Sequence, residues 1–213
     1  MAQARWERWV RAPRQERARV TFERVLNAAA EVLVEQGYEG FAVAEVCRRA
    51  AVAPGTLYDR VEDRSALFLA VHDRELQRIT VNMEEALTIL VSRTRLSTRR
   101  LLDEVVNLLV SQYAEERALL RTFILRAAVD PRVREEGKHY VDRLEAATVA
   151  VMLTRKRDFT VNDAERAVRT AYRLVVDSLS WRTAFGADFH GGQISDEAWA
   201  GELREVVRRR LLG

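Results

Sequence analysis

An all-α fold follows from two features of the 213-residue chain. It has only 3 prolines and 9 glycines against 31% charged residues, a composition that favours long helices over sheets and turns. Apolar residues also recur at helical spacing along most of its length. The expected architecture is a three-helix head on a body of about six helices. Residues 1–19 would form a basic N-terminal arm, 20–63 the three-helix head, and 64–213 the helical body, entered by the helix starting at 64.

The arm carries six arginines against Glu7 and Glu16, with Trp6 and Trp9 interspersed. It reads either as a loosely helical tail or as a basic strand adding phosphate or minor-groove contacts. A first helix is expected over Thr21–Gln36, with Phe22, Val25, Leu26, Ala29, Val32 and Leu33 on one face and Gly37 ending it. Val43, Val46, Cys47 and Ala50 then give a short helix one apolar face. Ala53-Pro54-Gly55 opens a second in which Leu57 and Val61 face inward, proline being tolerated where its missing N–H has no intrahelical partner. Two such helices around a tight turn make a helix-turn-helix, the second offering its outer face to the DNA major groove.

Asp63 is placed to cap a long helix from Arg64 to about Val91. Ser97 or Thr98 starts the next, marked by Leu101, Leu102, Val105, Leu108, Leu109 and Tyr113. Another follows with Leu119, Leu120, Phe123, Ile124 and Ala127, and Asp130-Pro131 opens one running to about Met152. Asn162 with Glu165 has the spacing of a capping box for a helix over Asp163–Phe185. Its apolar arc spans about 220° at 100° per residue, where a surface helix needs little more than ~100°. That helix is therefore expected to be covered on two sides, with Arg182 in mid-arc requiring a partner. Gly186, Gly191 and Gly192 form a loop, and Ser195 caps the last helix, which carries Trp199, Leu203, Val206, Val207 and Leu211.

The run Gly37-Tyr38, Val43, Val46, Ala50, Val52, Gly55-Thr56-Leu57-Tyr58, Asp63-Arg64 and Leu67 resembles the N-terminal domain of the TetR family of transcriptional repressors. The resemblance covers about residues 20–72. Ala42 and Ala53 stand where the family usually has a hydroxyl residue, Ala51 where it usually has glycine, and Arg60-Val61 where it usually has His or Tyr followed by Phe. The resemblance implies a homodimer whose last two helices pair across a two-fold axis into a four-helix bundle. Ala164, Val168, Ala171, Val175, Leu179, Trp199, Leu203 and Val207 are the interface residues expected there. It also implies an effector pocket within the middle helices and release of a double-stranded DNA operator when a small molecule binds.

Chemically, Thr56 and Tyr58 offer hydroxyls, and Arg60 and Arg64 offer charge, to phosphates. Ala53, Pro54 and Gly55 allow only close or apolar contacts, suited to thymine methyls. Asp59 can accept from a cytosine amino group, and Ala44 faces the groove with little hydrogen-bonding capacity. Tyr113, Phe123, Tyr140, Met152, Tyr172 and Trp181 each read singly as core. As a set they suit a mostly apolar pocket with a few orienting polar groups, hence a neutral, largely apolar effector.

Catalysis finds little support. Glu136 and His139 have the Glu-x-x-His spacing of a carboxylate-bridged metal site, but only one copy occurs, and His190 beside Asp188 lacks a third ligand. No nucleophile elbow, phosphate-binding glycine loop or Cys-x-x-Cys pair occurs. No metal or cofactor is expected. The single cysteine, Cys47, reads as core rather than redox sensor and suits a reducing cytoplasm. No apolar run approaches the ~20 residues of a membrane span, and Arg5, Glu7, Arg8 and Arg11 interrupt any signal-peptide core. The alternatives to a regulator are a helical ligand-binding protein that has lost operator binding and a helical-bundle metalloenzyme.

Overall fold

The computed structural model describes residues 5–11, 15–93, 96–189 and 194–213. The described residues form helices and their connections, with no strand. The helices are α1 (Glu16–Gln36), α2 (Val43–Ala50), α3 (Pro54–Tyr58), α4 (Arg64–Ser92), α5 (Thr98–Glu115), α6 (Arg117–Val129), α7 (Pro131–Leu153), α8 (Ala164–Phe185) and α9 (Asp196–Leu212). A 3-10 turn over Arg5–Trp9 precedes them and another, Lys156–Asp158, lies between α7 and α8. The expected all-helical architecture is observed.

Side-chain caps set several of these helix starts. Asp63 accepts the Ala66 amide at 2.7 Å to start α4, Ser97 accepts that of Arg100 to start α5, and Ser195 that of Ala198 to start α9. Each meets an amide that the first helical turn leaves without an intrahelical partner. At α8 the cap is Asp163, which accepts the Arg166 amide at 3.0 Å, so the capping box expected from Asn162 is corrected by one residue. Helix α1 starts at Glu16 rather than Thr21. Its first turn, Glu16-Arg17-Ala18-Arg19, is three charged helix formers and an alanine, and no apolar period announces it.

Two compact units emerge. The first comprises Met1–Arg78 and Ala118–Lys138, the second Ile79–Arg117 and His139–Gly213. In the first, Leu26, Ala29, Val32 and Leu33 of α1 are buried along with Val46 and Cys47 of α2, Leu57, and Leu67, Phe68 and Val71 of α4. Phe68 is its aromatic centre: Tyr38 meets it edge-on at 4.8 Å, and Phe41 and Phe123 at about 6 Å. The Thr122 hydroxyl of α6 donates to the Leu33 carbonyl. The compact unit is thus larger than the helix-turn-helix and includes most of α6. Cys47 is buried and reduced, and burial pushes its thiol pKa up, which suits packing and disfavours reactivity.

In the second unit α9 lies against α5 and α8. Leu102, Val105 and Leu109 of α5 join Val168, Ala171, Tyr172 and Val175 of α8 and Leu203, Val207 and Leu211 of α9 in one core. Thr160 donates its amide to the Leu211 carbonyl at 2.9 Å, fastening the end of α9. Glu145 is nearly buried and receives Arg169 and Arg173 at 3.0 Å each. Those hydrogen bonds hold its carboxyl below the usual range.

Candidate nucleic-acid interface and effector region

Helix α3 has five residues, too few to be stable alone. It is held because Leu57, and Val61 just beyond it, are buried. The turn before it is set by Ala51, which adopts φ 50°, ψ 51°, the left-handed region where a side chain is disfavoured. This explains why the related pattern carries glycine at that position. Ala42 and Ala53 are the N-cap residues of α2 and α3, and neither makes a side-chain cap bond. The missing hydroxyls leave amides at both helix starts without that partner.

With Leu57 turned inward, Ala53, Pro54, Gly55, Thr56, Tyr58 and Asp59 are exposed, as is Ala44 on α2. A Cβ built on Gly55 would meet nothing within 4 Å. Beside this face runs a cleft whose polar walls are Gln15, Arg17 and Thr21 of the α1 start and Thr56 and Arg60 of the α3 end, floored by Phe22, Val25 and Leu57. Arg17 and Thr21 were not singled out in the sequence. Their signal, one helix turn's spacing across the start of α1, is hidden by placing that start too late.

Three cations near this face already have partners. Arg64 donates to the Tyr38 carbonyl and lies 4.5 Å from the Tyr38 ring, so part of its guanidinium is engaged within the head. On α2, hydrogen bonds from Arg48 and Arg49 hold the Glu45 carboxyl down at about 2, and Arg49 also pairs with Glu35. Arg60 remains half-exposed, its Nη1 3.4 Å from the Arg11 carbonyl.

The six residues expected around an effector are divided between the two units. Phe123 belongs to the first unit, 4.7 Å from the His72 ring. Trp181 sits on an outer face with Phe185 and Phe189, at 4.5 and 5.5 Å. Tyr140 is buried, and Met152 and Tyr172 are in the second core with Tyr113 against it. The Tyr113 hydroxyl meets Ser180 Oγ at 2.8 Å, and burial pushes the pKa of both Tyr113 and Tyr172 up. The cleft beside Tyr113, lined by Val110, Leu179, Arg182 and Trp199, holds about 20 Å³, room for one water. Elsewhere in the second unit, the Thr148 hydroxyl is buried with no hydrogen-bond partner.

Most of the expected dimer residues are already covered within the single chain. Val168, Ala171, Val175 and Val207 are 0–1% exposed, and Leu179 and Leu203 are 5–6% exposed, within the single chain. A side chain already covered by its own chain has no surface to give a partner. The broad apolar arc of α8 is indeed covered on one side by α5 and α9. Its other edge stays open: Leu174 is 51%, Trp181 45% and Phe185 46% exposed, with Val206 of α9 at 44%. Ala164 lies at the helix start, and Trp199 is half-buried with its indole N–H donating to Ser178 at 3.0 Å. Arg182 finds its partners in Asp196 at 3.1 Å and the Ala187 and Ile194 carbonyls. Gly191, Gly192 and His190 lie outside the described residues. Glu136 is paired with Arg5 and Arg8 rather than with His139, and among the described residues no three His, Cys, Asp or Glu converge as metal ligands. No helix of the described residues is long and apolar enough to cross a membrane.

Residues 25–71 match the family of bacterial regulatory proteins, tetR family. The HTH-type transcriptional regulator UidR of Escherichia coli K12 is 32% identical over 71 residues, 33% of this chain and 36% of UidR. The match thus spans about a third of that relative. Among solved structures, a TetR-family transcriptional regulator from Mesorhizobium loti superposes with a TM-score of 0.75 at 17% identity, covering 92% of this chain and 97% of that one. FadR of Bacillus subtilis, solved with stearoyl-CoA, gives 0.65 at 16% identity over 87% of this chain and 97% of its own. At such identities the structures speak for the fold alone.

Proposed function

Starting from a TetR-family helix-turn-helix domain at residues 25–71 and a TetR-like helical fold along the chain, we propose that this protein is a DNA-binding transcriptional regulator. It acts as a cytoplasmic homodimeric repressor that leaves its operator when a small, mostly apolar effector binds. The observation that carries DNA binding is the outer face of α3. Gly55 there opens onto empty space, a feature no packing inside the chain requires. A glycine inside a helix costs about 1 kcal/mol relative to alanine, so its presence favours close approach of something outside.

On this reading Ala53, Pro54, Gly55 and Asp59 meet base edges, while Thr56, Tyr58, Arg60, Arg17 and Thr21 meet phosphates. Two heads must span successive major grooves, and the exposed Leu174, Trp181, Phe185 and Val206 supply the apolar seam that would pair two copies. The tyrosine and methionine side chains of the second core favour an apolar effector. With only about 20 Å³ open beside Tyr113, the effector would favour a more open arrangement that spaces the heads wrongly for DNA. By reciprocity DNA would weaken effector binding by the same factor.

The test is to measure binding of genomic fragments against salt concentration for the unmodified protein and Arg60→Ala. Loss of one phosphate contact lowers the slope of log K on log salt by about 0.9; an unchanged slope removes Arg60 from the interface. The two alanine N-caps favour a second reading, a helical ligand-binding protein with a head that no longer grips DNA. Absence of any retained fragment at low salt would select it.

A further inference from the structure

The turn Arg5–Trp9 is docked on the head. Arg5 reaches Glu136 at 3.2 Å and Asp73 at 3.6 Å, and Arg8 reaches Asp73 at 3.6 Å and also pairs with Glu136. Trp6 stacks on Phe22 at 5.9 Å. Two residues on, the Arg11 amide donates to the Arg60 carbonyl at 2.8 Å, while Arg60 Nη1 points back to the Arg11 carbonyl at 3.4 Å. One short segment therefore joins α4, the start of α7 and the turn that follows α3.

We propose that Arg5 and Arg8 are positioning residues: they anchor the arm in the acidic notch of Asp73 and Glu136, and the arm in turn holds Arg60 for its phosphate. This rests on the DNA-binding reading above. Two arginines against two carboxylates leave no net charge to attract a phosphate. The Asp73 side chain is fully buried, while the arginines are about 38% exposed. Moving those arginines out to DNA would take two cations away from a buried carboxylate, a strongly unfavourable exchange. The arm thus acts on DNA through geometry, whereas a basic arm that reached the duplex would act through charge.

These two modes give opposite results for one substitution. Glu136→Gln removes one of the two carboxylates of the anchor and loosens the arm. If the arm positions Arg60, affinity for a mixed-sequence duplex falls, by up to about fivefold for pairs this exposed, and the salt slope stays unchanged. Arg5→Gln with Arg8→Gln does the same, and combining them with Glu136→Gln adds no further loss. The swap Arg8→Glu with Glu136→Arg restores affinity, a rescue that loss of folding would not give. If instead the arm arginines meet phosphates, Glu136→Gln tightens binding, and Arg5→Gln with Arg8→Gln lowers the slope by about 0.9 per contact; either result overturns the proposal. Trypsin cleavage after Arg5, Arg8 and Arg11 reads docking without DNA. Faster cleavage in Glu136→Gln is expected, and equal rates overturn the anchor itself. Should the unmodified protein bind no DNA at any salt, the positioning role falls with the DNA-binding reading, and the trypsin rates still tell whether the anchor stands.

Discussion

Replacing Ala51 with glycine should make this protein more stable, although the substitution deletes a methyl group. Ala51 holds φ 50°, ψ 51° at the end of α2, and an L-residue with a side chain pays about 1–2 kcal/mol there. The residue is exposed, so the lost methyl removes almost no burial. Glycine's extra freedom in the unfolded chain takes back about 0.4–1 kcal/mol. The balance is a gain of about 0.5–1 kcal/mol. For a chain of this length that raises the thermal midpoint by about 2–4 °C per kcal/mol. The assay is thermal unfolding followed by circular dichroism at fixed protein concentration, with Ala51→Val as the opposite control, since a β-branched residue tolerates this region worst. A midpoint for Ala51→Gly at or below that of the unmodified protein would refute the reasoning, because it would mean the turn carries no steric penalty.

Two further outcomes follow from burial and titration. Val175→Glu places a charge in a closed core and should unfold the second unit, while Trp181→Glu lies on the open edge and should yield a folded monomer; sedimentation with circular dichroism separates them, and a dimeric Trp181→Glu would move the seam elsewhere. His72 is buried against Phe68 and Phe123, and burial lowers its pKa from 6.5 to about 4. The folded state therefore refuses a proton that the unfolded state accepts, so this contribution is complete above 6.5 and is lost as pH falls from 6.5 towards 4. Urea unfolding should show about 1.4 kcal/mol lost per pH unit within that window, and His72→Gln should flatten the dependence; an equal slope in the variant would discount His72.

Much of the head was legible because its signals are local. The i, i+3, i+4 pattern of Val43, Val46 and Cys47, the proline at the first turn of α3 and the Asp63 cap each depend on a few neighbours in sequence. The body was legible as helices but not as surfaces. Val175 and Leu174 are adjacent and both apolar, and only the arrival of α5 and α9 decides that the first is core and the second outside. The same limit hid the fate of Arg64, since nothing near it in sequence says that the Tyr38 carbonyl and ring will take its guanidinium. Arg5 and Arg8 counted as basic charge in the sequence, but carboxylates more than 60 residues away neutralise them.

The empty space around Gly55 also bears on how such a protein diversifies. Most positions on a five-residue helix are constrained twice, by what they touch inside and by what they must meet outside. Position 55 is released from the first constraint. A Cβ placed there meets nothing within 4 Å, so a small side chain leaves the packing of Leu57 and Val61 intact and favours the helix. For a regulator that reads DNA with this helix, a single codon change at 55 would alter the target while leaving the scaffold untouched. A duplicated copy of the gene could thus acquire a new operator in one step, without first passing through a misfolded ancestor.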